Sequence, residues 1–136
     1  MDGMIRDLVW SRAGHRCEYC RIHQEDEPFY RLHVEHIVAK QHGGTDDASN
    51  LALACHHDND HKGTNLSGID PGTGKVVRLF DPRRQRWSRH FRFEGPVILG
   101  RTPCGRATVT VLALNARDRL ELRAELIAAG VFPPVT

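Results

Sequence analysis

The chain has 136 residues, 40% of them apolar and 26% charged, the composition of an ordinary folded protein of about one domain. This excludes a disordered chain, and no stretch approaches the ~20 apolar residues that a spanning helix needs. The formal charge of +2 conceals a division: residues 17–70 set Arg21, Arg31, Lys40 and Lys62 against ten acids, whereas residues 75–106 carry nine cations against Asp81 and Glu94.

Ile5, Leu8, Val9 and Ala13 recur at helical spacing, which predicts a short amphipathic helix ending at Gly14. Asp2, Arg6 and Asp7 stand where a secretory leader would be apolar, so the expected location is the cytoplasm. Cys17-Glu18-Tyr19-Cys20 follows, then a polar turn at Glu25-Asp26-Glu27-Pro28. Tyr30 to Val38 reads as a strand with Leu32, Val34 and His36 on one face, and Asn50 to Ala54 as a second strand, antiparallel if the intervening Gly43-Gly44 loop returns. Asp58 to Gly63 reads as a short helix. Beyond the turn at Asp70-Pro71-Gly72-Thr73-Gly74, strands are expected over Lys75–Phe80, Val97–Leu99 and Thr108–Leu114. A last helix is expected to start from Asn115 as its cap, with Leu120, Ala124 and Ile127 sharing a face, and to end at Gly130.

Four cysteines in a chain with no leader are poor disulfide material, and nine histidines bring metal to mind. Cys17-x-x-Cys20 is half of a zinc knuckle, because two thiolates at this spacing can bind one tetrahedral ion. The matching half is Cys55-His56-His57-Asp58, where Asp stands at the position of the fourth ligand; His56 or His57 is the alternative. Cys104 reads as an ordinary, partly buried thiol. The Arg-rich segment, interleaved with Trp87, Phe91 and Phe93, reads as a polyanion-binding surface, the aromatics serving either the core or base stacking.

Between the cysteine segments lie His33-Val34-Glu35-His36-Ile37, the Gly43-Gly44 loop, Asn50-Leu51, and Asn59-Asp60-His61-Lys62-Gly63. In this order, bracketed by cysteines, they resemble the HNH endonuclease family over roughly residues 15 to 66. The stretch from Gly68-Ile69-Asp70-Pro71 to His90-Phe91 looks like the extension of a bacterial subgroup of that family. The resemblance implies an α+β fold: a ββα-metal finger with a cysteine zinc site. Residues 1–14 would supply an N-terminal helix, 15–66 the finger, and 67–136 a basic extension of small antiparallel strands and a terminal helix, all in one domain.

By the same resemblance, His36 is the general base, Glu35 the acidic ligand of a catalytic cation, and Asn50 the residue that ties down the loop and orients the histidine. Asn59 is the second ligand, with His61 the alternative; positions two apart on a helix face different ways. Oxygen donors favour Mg²⁺ or Mn²⁺, whereas His61 would shift preference to Ni²⁺ or Zn²⁺. His33, two residues before Glu35 on its strand face, reads as structural. Cys17, Cys20, Cys55 and Asp58 would hold the structural Zn²⁺, while Lys40, Lys62, Arg83, Arg84, Arg86 and Arg89 would contact phosphates of DNA, expected to be double-stranded. The implied activity is metal-dependent hydrolysis of phosphodiester bonds in DNA. The alternative is a zinc-finger nucleic-acid-binding module that keeps the fold without catalysis.

Overall fold

Asp2 opens the first helix, α1 (Gly3–Arg12), by accepting the Ile5 N–H on its carboxylate at 2.9 Å. The computed structural model describes residues 1–135 and is an α+β arrangement of five α-helices and three two-stranded antiparallel sheets among them. After α1 the chain turns through Gly14 and His15, both at positive φ, into the Cys17–Cys20 turn. β1 (His33–His36) pairs with β2 (Leu51–Ala54) in the register His33 to Ala54 and His36 to Leu51. β2 is buried throughout, as an apolar run between two packed faces must be. α2 (His56–Lys62) follows at once and stops at Gly63, as expected.

Two details of the β1–β2 loop bear on the site. Gly44 lies so close to the Val38 carbonyl that any Cβ there would overlap it. Asn50 clamps the loop, taking the Val38 N–H on Oδ1 at 2.9 Å and giving Nδ2 to the carbonyls of Val38 and Thr45, each at 2.9 Å.

The remaining half runs β3 (Ser67–Ile69), β4 (Val76–Arg78), α3 (Trp87–His90), β5 (Phe91–Glu94), β6 (Val97–Gly100), α4 (Pro103–Val111) and α5 (Arg117–Ala128). β3 pairs with β4, and β5 with β6. One buried cluster takes in Val9, Tyr19, Ile22, Leu51 and Leu53 from the first half and Phe80, Phe91, Ile98, Leu112 and Leu114 from the second. Trp87 and Phe93 pack against it and Phe91 lies within it, so the aromatics of the Arg-rich segment serve the core. The Trp87 indole N–H also donates to the Tyr19 carbonyl at 2.7 Å.

β3, α3 and β5 add elements that the sequence does not announce, and three expectations for the tail are not met. Thr108–Leu114 is not a strand: Thr102 accepts the Gly105 N–H at 3.0 Å and Pro103 sits in the first turn, so α4 starts upstream and runs through the β-branched residues. Thr108 and Thr110 fit the helix by donating their hydroxyls to the carbonyls four residues back, at 2.8 and 3.1 Å. Asn115 is not a helix cap; its amide pairs with both backbone groups of Ile98, at 2.9 and 2.8 Å, and Ala116 takes the cap position. On α5 the buried residues are Arg119 and Arg123, with Leu122 and Leu126 half-buried beside them, while Ala124 of the expected face is exposed.

Candidate active site and metal centre

Cys17 and Cys20 approach from the turn after α1, and Cys55 and Asp58 from the end of β2 and the first turn of α2. Cys55 caps α2 with its sulfur, accepting the Asp58 N–H at 3.4 Å, and Cys17 Sγ likewise accepts the N–H groups of Tyr19 and Cys20 at 3.4 and 3.5 Å. The four ligand atoms lie within 4.8 Å of one another, all four residues are buried, and the cysteines are free thiols. The Cys17 thiol donates to Asp58 Oδ2 at 3.1 Å, whereas Asp58 Oδ1 is buried with no partner. Such an orphan oxygen is costly unless something fills the gap, and three sulfurs plus one carboxylate make a tetrahedral donor set. The residues fit a metal ion.

The charges around the cluster agree. Burial pushes the Cys17 thiol and the Asp58 carboxyl up, while hydrogen bonds from Cys17 and Cys55 pull Cys20 down towards the thiolate. Arg123, 1% exposed, spends its donors on the carbonyls of Pro96 and Leu114 and on the Asn115 side chain, at 2.6, 2.7 and 3.0 Å. It has no carboxylate partner among the described residues, and burial holds its guanidinium below the ordinary value, opposed by Cys20 and Asp58. Arg119 stands 3.6 Å from Cys55 Sγ and 3.0 Å from Glu27. A divalent cation held by three thiolates and a carboxylate would leave an excess of negative charge, and Arg119, 3.6 Å from Cys55 Sγ, stands where it would offset part of it. His56 and His57, the alternatives for the fourth position, are engaged elsewhere: His56 Nδ1 lies 3.2 Å from His33 Nε2, and His57 Nε2 lies 2.8 Å from the Ala113 carbonyl.

The second set of residues gathers where β1 meets α2. Glu35 is 5% exposed, with one oxygen accepting from the Tyr19 hydroxyl and the other from the Lys62 ammonium at 3.1 Å. Lys62 also donates to the carbonyls of His36 and Ile37, at 3.2 and 3.1 Å. Burial raises the Glu35 carboxyl above its ordinary range, opposed by Lys62 and Tyr19. His56 and Lys62, which both reach β1, lie three residues either side of Asn59 on α2, so Asn59 shares their face. His61 does not: its ring packs on His57 at 4.2 Å and its Nδ1 lies 2.8 Å from the His57 carbonyl. His36 is half-buried, its Nε2 lying 2.7 Å from Asp46 Oδ1. The hydrogen bonds from His36 and then Lys40 hold the Asp46 carboxyl below its usual range.

Residues 17–65 match the HNH endonuclease family model. The matched segment thus takes in the cysteine cluster, Glu35, His36, Asn59 and the Asn50 clamp. Over 133 residues the chain is also 29% identical to the Septu protein PtuB of Bacillus thuringiensis, a match that takes in 96% of this chain and 49% of that protein. The chain therefore spans about half the length of that relative. No solved structure matches the chain.

Two cations expected to meet phosphate beside the HNH segment are committed to the interior instead. Lys62 is 2% exposed on Glu35. Arg83 is ion-paired with Glu18 of the cysteine turn, and burial lowers its guanidinium to about 10. The sequence shows both as positive charges but not the buried carboxylates that take them. Lys40, Arg84, Arg86 and Arg89 are exposed. Arg78, which no sequence motif singles out, joins Arg84 in lining a cleft with Ile37, Val38, Gly44 and Asn50, directly after β1. Asp46, Arg119 and Arg123 likewise stand outside the sequence motifs, and Tyr19 occupies an unspecified position between Cys17 and Cys20. Only Asp46 has a local signal, as an acid in the loop between His36 and Asn50.

Proposed function

We propose that this protein is a divalent-metal-dependent endonuclease that hydrolyses phosphodiester bonds in double-stranded DNA, with His36 as general base. The observation that supports this most is where His36 sits: half-buried at the end of β1 in the HNH segment, beside a loop that Asn50 clamps on both sides. A neutral imidazole suits the task, because its ordinary pKa near 6.5 lets it take a proton at neutral pH. In the step, His36 takes a proton from water, the resulting hydroxide oxygen bonds to phosphorus, and the bond from phosphorus to the 3′ oxygen breaks. The leaving oxygen then takes a proton from solvent.

Glu35 and Asn59 are the residues that would hold the catalytic cation, and their oxygen donors favour Mg²⁺ or Mn²⁺. Such a cation supplies Lewis-acid stabilisation of the charge on the phosphoryl and leaving oxygens. Glu35 can ligate it only once the Lys62 ammonium has left the carboxylate. The placement of His61 on the His57 face favours Asn59 as the second ligand. The cysteine cluster is proposed to hold a structural Zn²⁺ through Cys17, Cys20, Cys55 and Asp58, and exposed Lys40, Arg84, Arg86 and Arg89 to grip phosphates independently of sequence.

A second reading, a nucleic-acid-binding module without catalysis, draws support from the same Glu35, whose two oxygens are both engaged. Plasmid incubated with the protein and Mg²⁺, Mn²⁺, Ni²⁺ or EDTA separates the two. Cleavage that EDTA abolishes supports the enzyme; salt-sensitive binding without cleavage in every metal supports the module.

A further inference from the structure

The reading of His36 as a base leaves open which ring nitrogen does the work and what fixes it. A neutral imidazole carries its proton on one nitrogen and a lone pair on the other, so only the bare nitrogen can accept a proton from water. An ionised carboxylate can only accept hydrogen bonds. Where Asp46 Oδ1 faces His36 Nε2 at 2.7 Å, the proton therefore belongs on Nε2. The His36 contact and then Lys40, which approaches both carboxylate oxygens at 3.3 Å each, favour the ionised form of Asp46. Nδ1 of His36 has no hydrogen-bond partner among the described residues, and the side chain keeps 24% of its surface open.

The loop that carries Asp46 is held on either side of it. The Asn50 side chain donates to the Thr45 carbonyl at 2.9 Å, and the Asn50 backbone N–H donates to the Asp47 carbonyl at 2.8 Å. Upstream, the Gly44 N–H donates to the Ala39 carbonyl at 3.0 Å, in a fit that only glycine allows. Asn50 touches the residues before and after Asp46 and makes no direct bond to the His36 ring.

We infer that Asp46 is a positioning residue for His36, its carboxylate holding Nε2–H so that Nδ1 is left bare to take the proton from water, and that Asn50 acts on the histidine through Asp46. The inference rests on His36 being the base. The same logic applies wherever a carboxylate behind a histidine selects the tautomer that works.

The test is ¹⁵N–¹H correlation spectroscopy of histidine-labelled protein, beside single-turnover DNA cleavage, for wild type, Asp46→Asn, Asp46→Ala and Asp46→Glu. In wild type the His36 signals should be those of the Nε2–H tautomer. Asp46→Asn and Asp46→Ala should lose that preference and cut at least ~100-fold more slowly, with DNA affinity and bound zinc unchanged. Asp46→Glu, which keeps the carboxylate, should restore the tautomer and part of the rate. A wild-type Nδ1–H tautomer, or an Asp46→Asn protein that keeps both tautomer and rate, overturns the inference. Should wild type not cut DNA at all, the reading of His36 as a base fails, while the tautomer measurement still decides the pairing.

Discussion

The two candidate metal sites of this protein share one short helix, the cysteine cluster at its first turn and the Glu35 site where Lys62 of its last turn reaches β1, and they are prepared in opposite ways. At the cysteine cluster, four buried candidate ligands converge, one carboxylate oxygen has no partner, and Arg119 of α5 brings positive charge to within 3.6 Å of Cys55 Sγ. At β1 and α2, the carboxylate that would take the second cation already holds an internal one, the Lys62 ammonium. The first set leaves a buried oxygen that a metal would satisfy, and Arg119 stands 3.6 Å from one of its sulfurs. The second is complete as it stands and must be opened. A structural ion and a reactive one call for this difference, since the first has only to stay whereas the second must admit substrate and water.

The strongest test of the contrast is to remove the structural ion proposed for the cysteine cluster. Zinc binding contributes ~10–16 kcal/mol to the folding of small zinc-dependent domains, so a strong chelator, or Cys55→Ala, should abolish cooperative thermal unfolding. A metal-free protein that melts as sharply as the loaded one would remove the cysteine half of the comparison. At the second set, Lys62→Met leaves Glu35 buried without its cation and should cost about 3–5 kcal/mol. Saturating Mn²⁺ should recover more of that stability in the variant than it adds to wild type, because the vacated carboxylate is then free to bind it. Equal Mn²⁺ effects in melts of the two proteins would mean that Glu35 is not a ligand.

Smaller effects lie outside the two sets. Arg106 holds the Asp70 carboxyl well below the usual carboxylate range through hydrogen bonds at 2.8 and 3.0 Å. An acid depressed in this way stabilises the fold above about pH 4, and that contribution is lost as pH falls through the lowered value. Arg106→Met should therefore be less stable at neutral pH and show a shallower acid limb in denaturant titrations. Replacing Arg84, Arg86 and Arg89 with Ala should leave folding untouched and weaken DNA binding. The slope of log affinity against log salt should fall by about one for each phosphate that the variant no longer neutralises.

The HNH half is legible because its signals are local. Cys17-x-x-Cys20, Glu35-His36, Asn50 and the Cys55–Asp58 spacing each announce a turn, a strand end or a helix cap within a few residues. The tail is less so. The run Thr108-Val109-Thr110-Val111 has the residues of a strand, and the stronger signal, Thr102-Pro103 capping α4, lies upstream of it. Asn115 looks like a cap because its true partner, Ile98, lies seventeen residues back in the chain. Arg119 and Arg123 look like a solvated helix face. Arg119 is taken by Glu27 and by Cys55, more than 60 residues earlier, and Arg123 by the carbonyls of Pro96 and Leu114, partners that no local pattern records. Lys62 and Arg83 read as DNA contacts for the same reason: charge is visible in sequence, but the buried carboxylate that claims it is not.

The central claim is that His36 makes this HNH segment a DNA-cleaving centre, and the most direct measurement is the single-turnover rate of plasmid cleavage in Mn²⁺ for wild type and His36→Ala, with DNA affinity taken on the same samples. Cleavage that needs the metal and falls at least ~100-fold in the variant, at unchanged affinity, is the predicted result. Equal rates in the two proteins, or tight binding with no cleavage by wild type, would contradict it.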